Sequence, residues 1–453
     1  MSPLASKLVK IVIIIDGLDL LTPEYGAISL QWLSWTRDVP PARVRVLISC
    51  AEKGEIMKVL RRWSPEPRYF VMGPLEALER SLLVRHRLAL YRKKLDESAF
   101  SNEMRMLTAK RDGGSPLYLV LACNELRVFG DFDGMPAKLK EIAGSVPDLV
   151  NEVLSRVEDE IGLPIVRRAL SIICISRDGV LESEMLRMLR RKGEESLPLA
   201  NWTALFAAIK SLLRIVESAD AKLQLVHVEA IAAIRARYLP NANAVTRCHR
   251  LVARFFQSQI DLKGFRRPSE QEQRPINLRA VSEVVYHLLQ AGELEEAATL
   301  LQDVVYVWLR CFGGQVHALL HDYTQLLSIR RVDKLGIEGV RAMHVIVSSS
   351  LHVLVKYPIQ FLQLVLNEGS PALKQSALDV LQQGRFAYAW LEHLSADRDA
   401  EANAMVLAQG DEAIVCLASS SSAEVVAAGF YDVRFIFLWC SLPLLTPFLN
   451  SVQ

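Results

Sequence analysis

No stretch of the 453-residue chain is long and apolar enough to span a bilayer. The strongest candidate, the tail RFIFLWCSLPLLTPFL, is broken by Pro443 and Pro447 and falls short of the roughly 20 residues a spanning helix needs. The opening MSPLASKLVKIVIIID is interrupted by lysine and closed by aspartate, which makes it a poor secretory leader. No membrane partner is therefore expected. An excess of one charge is also missing: 53 basic residues stand against 51 acidic ones, a net charge of +2, so nucleic acid is not expected as a main partner. The seven cysteines are scattered, without a CxxC pair or an even framework. That usage argues against zinc and disulfides and for reduced thiols in a cytoplasmic protein. HExxH, GxSxG and GxGxxG are all absent, which removes the sequence anchors of metalloprotease, serine hydrolase and dinucleotide chemistry.

What is present is an apolar, globular composition, 51% hydrophobic and 23% charged, with length for about three domains. Residues 1–130 alternate strand and helix patterns. KIVIIIDGLDLL (Lys10–Leu21) opens as a β-branched run that reads as a fully buried parallel strand, RVRVLISC (Arg43–Cys50) as a second strand and YFVMGP (Tyr69–Pro74) as a third. Helical patterns lie between and after them, so this segment reads as α/β. Residues 131–247 read as short helices with an Asp178–Gly179 turn and a period-two LQLVH running into a helix, a winged-helix-like unit. Residues 248–395 read as an irregular, TPR-like helical arm with a hairpin hinge at Ala291 and Gly292 and a surface excursion at GFRRPSEQEQRP. Residues 396–453 give strand, serine-rich turn, strand, Asp-containing turn and strand, the pattern of one propeller blade or a small meander.

The most informative spacing is DGLD. It sets Asp16 at the carboxyl end of a parallel strand, where open α/β sheets bind ligands, with Asp19 one turn on and Gly17 letting the backbone turn between them. A carboxylate there can hold magnesium beside a nucleotide's phosphates, and Asp19 could orient an attacking water. The competing reading is structural: Asp16 or Asp19 caps the helix that follows. Phosphate binding would need GxxxxGK[ST], and that pattern occurs nowhere in the chain. His317 and His321, at i, i+4, could begin a metal site but supply only half of a tetrahedral set.

VIIIDGLDLL, RVRVLISC, GSPLYLVLACNELRVFG and LVHVEAIAAIRARYL stand in an order that resembles signal-transducing NTPases of the STAND class. The resemblance is to NACHT-type members that carry a helical region and WD repeats, nephrocystin-like and telomerase-associated ones among them. It implies that Asp16 is the Walker B magnesium aspartate and Asp19 the acidic residue after it. It implies that Pro116 touches the adenine side of the site and that His227 contacts the β-phosphate of ADP, although on residues alone a histidine on an apolar face, as His227 is, is more often a satisfied core histidine. LISC resembles the sensor strand, with AEKG where an arginine often stands. Asp432 and Trp439 resemble the turn and closing residues of a first WD blade, with Val433 where glycine is usual.

The expected fold is therefore α/β plus mostly α: a partial P-loop NTPase sheet, a winged-helix-like unit, a helical-repeat arm and one incomplete blade, a family pattern truncated at both ends. The expected function is a degenerate STAND-type scaffold acting through protein–protein contacts rather than a working NTPase, with ATP or ADP and magnesium held weakly or not at all. An open sheet edge beside the first strand invites self-association. The alternatives are a regulatory NTPase whose P-loop lies in a missing N-terminal segment, and a purely helical adaptor.

Overall fold

The computed structural model describes residues 10–21, 24–30, 32–33, 43–52, 54–63, 67–98, 100–129, 134–190, 193, 195–216, 221–225, 227–262, 277–329, 337–384 and 386, and the backbone of strands 414–419, 425–430 and 435–439. The chain divides into two compact units, Met1–Val252 and Ala253–Gln453. Among the described residues no helix is long and apolar enough to cross a membrane.

The first unit begins with two parallel strands, β1 (Ile11–Ile15) and β2 (Val44–Ile48), paired from Ile11 opposite Val44 to Ile15 opposite Ile48. Period-two geometry sends alternate side chains to opposite faces. Ile15 and Ile48 pack onto a cluster of Leu18, Leu30, Leu33, Ile56 and Leu60, the last two from helix α1 (Glu55–Leu60). On the other face Val12, Ile14 and Leu47 are 64%, 69% and 56% exposed among the described residues. The expectation of a fully buried strand is corrected here. A wholly apolar strand has no alternation to say which face is covered, and among the described residues only one layer covers this sheet. The third expected strand is also corrected. Tyr69–Pro74 lies outside any ladder, and the backbone of Phe70–Met72 makes no hydrogen bond among the described residues.

Helices then take over: α2 (Ala77–Ala89), α3 (Glu103–Thr108), α4 (Pro116–Val128), α5 (Met135–Glu141), α6 (Val146–Ile161) and α7 (Leu163–Ile175). Start signals set their boundaries. Ser115 and Ser145 cap α4 and α6, each followed by proline in the first turn, where its missing N–H costs nothing. Lysines close two of the ends: Lys93 Nζ donates to the carbonyls of Leu126, Arg127 and Phe129 at 3.1, 2.8 and 2.6 Å, and Lys110 Nζ to those of Lys140 and Ile142 at 3.0 and 2.9 Å. Glu125, 5% exposed, receives a two-pronged bond from Arg156 at 2.8 Å and ties α4 to α6.

The Asp178–Gly179 turn leads into β3 (Val180–Leu181), α8 (Glu182–Met188) and α9 (Leu199–Ile209), then β4 (Leu213–Val216), β5 (Lys222–Leu225), α10 (Val228–Tyr238) and α11 (Ala242–Gln257). The strands form an antiparallel sheet in the order β3-β5-β4. Gly179 sits at φ 84° with Leu223 O only 2.8 Å from where a Cβ would stand, so the turn admits glycine alone.

The second unit is a helical array: α12 (Leu278–Ala291), α13 (Leu294–Gln302), α14 (Val304–Phe312), α15 (Val316–Ser328), α16 (Glu338–Ser349), α17 (Leu351–Lys356), α18 (Phe361–Glu368) and α19 (Pro371–Gln382). The hinge expected at Ala291 and Gly292 is found: α12 ends at Ala291 and Gly292 takes the left-handed φ of 75° that closes helices. A charged centre lies inside. Arg310 and Asp322, both 0% exposed, meet at 2.7 Å, and Arg310 also donates to the carbonyls of Ser282 and Val281 at 2.8 and 3.2 Å. Strands β6 (Ile414–Ser419), β7 (Val425–Phe430) and β8 (Phe435–Trp439) form an antiparallel meander, with Val425 opposite Trp439. The loop GFRRPSEQEQRP, Asp432 and Val433 lie outside the described residues.

Candidate functional site

The carboxyl ends of β1 and β2 gather the polar groups of the α/β segment. After Ile15 the chain places Asp16, then turns at Gly17 with φ 73° and ψ 44°, a conformation that a side chain would penalise by about 1 kcal/mol. Leu18, 2% exposed, drops into the cluster beneath and fixes the turn. Opposite stands Ser49. Its N–H donates to Ile15 O and its carbonyl accepts from Leu18 N, both at 3.0 Å. Its hydroxyl accepts from Gly17 N at 2.8 Å and donates to Asp16 Oδ1. Two residues on, Ala51 N donates to Asp19 Oδ1 at 3.1 Å. Neither aspartate caps the 3-10 turn Leu18–Leu20, whose N-cap is Gly17 without a side-chain bond. The helix-cap alternative is therefore set aside: both carboxylates reach across to the end of β2. Cys50, between Ser49 and Ala51, has its thiol pushed up by burial and further by the nearby Asp19.

Asp16 and Asp19 are thus brought together; the other two expected site residues are placed by local rules. Pro116 is the exposed first residue of α4, next to the Ser115 cap. His227 precedes α10, and burial lowers its pKa while Glu229 opposes the shift. No described hydrogen bond, ion pair or ring contact links either of them to Asp16 or Asp19.

Two carboxylates and a hydroxyl at the ends of parallel strands match what a protein usually offers Mg²⁺, which takes one or two carboxylates and draws the rest from water and phosphate. They do not complete a cage, since no group of three or more His, Cys, Asp or Glu able to hold a metal occurs among the described residues. Phosphates would have to supply the remainder. No sequence motif present here cradles them.

No protein-family model matches the chain. Its likeness is instead to long proteins, some of them named for a NACHT domain or for repeats. Telomerase protein component 1 of Rattus norvegicus is 28% identical over 394 residues, 81% of this chain and 15% of the rat protein. NACHT domain- and WD repeat-containing protein 1 of Homo sapiens is 25% identical over 358 residues, 69% of this chain and 22% of the human protein. A TPR repeat-containing protein of Dictyostelium discoideum is 24% identical over 323 residues, 70% of this chain and 18% of that protein. The chain thus spans less than a quarter of the length of these relatives, and its resemblance to NACHT and WD-repeat proteins is a distant one.

Ser49 and Ala51 were not singled out by the sequence reading. The only available signal was their position just past the second strand, level with DGLD across the ladder.

Proposed function

We propose that the chain is a scaffold of the NACHT and WD-repeat kind, working through protein–protein contacts, with its nucleotide switch inoperative in the isolated chain. One observation carries the reading: the aspartates that the family resemblance assigns to magnesium are engaged by Ser49 and Ala51 of the neighbouring strand end, with no phosphate cradle in the sequence beside them. The names of the relatives, which specify NACHT, WD and TPR modules, support it, as does a second unit made largely of stacked helices, an architecture that presents extended binding surfaces. In the intact switch, ADP would tie the winged-helix-like unit to the α/β core through His227, and exchange would release the arm.

A second reading keeps nucleotide, with a P-loop supplied from outside this chain. What favours it is the position of Asp16 and Ser49 at the carboxyl ends of parallel strands, the usual ligand edge of an α/β sheet. Titrating a fluorescent ATP analogue with Mg²⁺ against the purified chain and its Asp16→Ala variant separates the two. Binding too weak to saturate supports the scaffold; micromolar binding abolished by the substitution overturns it.

A further inference from the structure

Helices α2 and α4 end side by side, tied by Lys93, and the surface over that junction is basic. Arg87 and Tyr91 stand one turn apart along α2 and its closing turn, and Arg127 stands one turn after Cys123 on α4. The Arg127 guanidinium lies over the Tyr91 ring at 4.9 Å, with Nη1 3.4 Å from the hydroxyl. Burial pushes the Cys123 thiol up to about 12 and the charge of Arg87 opposes the shift, so Arg87 lies near this same face of α4. Arg92 holds φ 56°, in the left-handed region, as Lys93 N reaches back to Leu88 O at 3.1 Å. Helices usually give that closing position to glycine, and non-glycine residues held so cluster at ligand clamps and switch regions. Among the described residues the side chains of Arg87, Arg92 and Lys94 make no hydrogen bond or ion pair. The neighbouring acids are already engaged: Arg85 Nε holds Glu97 at 2.7 Å, and Ser98 N–H and hydroxyl hold Asp96, near Lys94, at 2.7 and 2.8 Å.

We infer that this strip docks an acidic segment of a partner protein, whose Asp or Glu carboxylates pair with Arg87, Arg92 and Arg127. The inference rests on the scaffold reading and names the chemistry of one partner. Charge complementarity carries it: a guanidinium is a planar fork that takes a carboxylate two-pronged, and the Tyr91 ring already fixes the plane of Arg127. The residues next to the stacked pair, Leu90 and Val128, are 60% and 48% exposed and give a peptide's apolar side chains a foothold. Three arginines within about two helical turns, roughly 11 Å, suit a short run of carboxylates better than a nucleic-acid backbone, where about six or more phosphates are commonly engaged.

The test is fluorescence anisotropy of the full chain with a labelled peptide of Glu and Leu, beside the same peptide with Gln for Glu, a labelled single-stranded RNA, and sedimentation with phosphatidylserine vesicles. The expected result is saturable binding of the Glu peptide alone, weakening as salt rises from about 0.05 to 0.3 M. Joint Arg87→Glu and Arg127→Glu should weaken it about tenfold or more with circular dichroism unchanged. Arg92→Gly separates recognition from structure: it should weaken binding about threefold while raising the urea midpoint, because glycine relieves the left-handed φ. No saturation by about 1 mM peptide, equal binding of the Gln peptide, tighter binding of RNA or vesicles, or binding indifferent to these substitutions overturns the proposal. The scaffold reading is decided separately by the nucleotide titration, so failure of the peptide test leaves it standing.

Discussion

Ser49 and Asp16 hold each other across the ends of two parallel strands, the serine hydroxyl donating to the carboxylate while accepting the N–H of Gly17 at 2.8 Å. One side chain thereby fixes both the aspartate and the turn behind it. Had Asp16 stood free, its orientation toward any cation would be set by solvent; here it is set by the neighbouring strand.

Ser49→Ala should therefore loosen the DGLD turn without unfolding the chain. Both groups are exposed, so the loss is about 0.5–1 kcal/mol, the net worth of an ordinary hydrogen bond. Urea denaturation would register it as a lower midpoint with an unchanged slope, and amide exchange at Gly17 should speed up. An Asp16→Asn variant, which keeps an acceptor, should lose less.

Lys93 offers a sharper case. It is half-buried and spends its ammonium on three carbonyls at the end of α4, where the helix dipole also favours a cation. Lys93→Met keeps the stem and deletes the charge, leaving those carbonyls to water. A loss of about 1–2 kcal/mol is expected. Lys93→Arg should recover part of it, and thermal melts of the three proteins would rank them.

What the sequence made legible was local. The hinge at Gly292 and the turn at Gly179 are glycine positions with left-handed φ, and both were read from turn chemistry. The passage from β5 to α10 followed from a change of period in LQLVHVEA. What stayed hidden depends on partners far along the chain. Ser49 meets Asp16 across 33 positions, so no window centred on DGLD contains it. Tyr69–Pro74 has the composition of a strand, but a strand exists only where a neighbour accepts its hydrogen bonds. Nothing in the sequence singles out Arg310 and Asp322, because composition cannot show that each neutralises the other in the interior.

That buried pair predicts an asymmetry. Asp322→Ala strands a fully buried guanidinium and should cost about 3–5 kcal/mol, whereas replacing Arg310 by Met and Asp322 by Leu together removes both charges and should cost far less. A double-mutant cycle in urea would measure the coupling. Equal losses for the single and double variants would mean that packing, not charge, dominates the site.

The pH dependence of stability should fall in two steps on the acid side. Burial lowers the pKa of His227 and of His344, the latter beside the Tyr323 ring at 5.6 Å, below the usual 6.5. The unfolded chain therefore takes up protons first, and stability declines as the pH drops below about 6.5, levelling once the folded histidines also titrate. The second step belongs to Glu158. Its hydrogen bond from Arg237, reinforced by Tyr238, holds the carboxyl below the usual 4.5 against the opposing effect of burial. Its contribution is present above about pH 4.5 and is lost as the pH falls through the lower folded value. Urea midpoints between about pH 8 and pH 3 test both steps. His344→Gln should flatten the first step and leave the second. Glu158→Gln should do the opposite, at a loss of roughly 1 kcal/mol near neutral pH, because the pair is only partly buried.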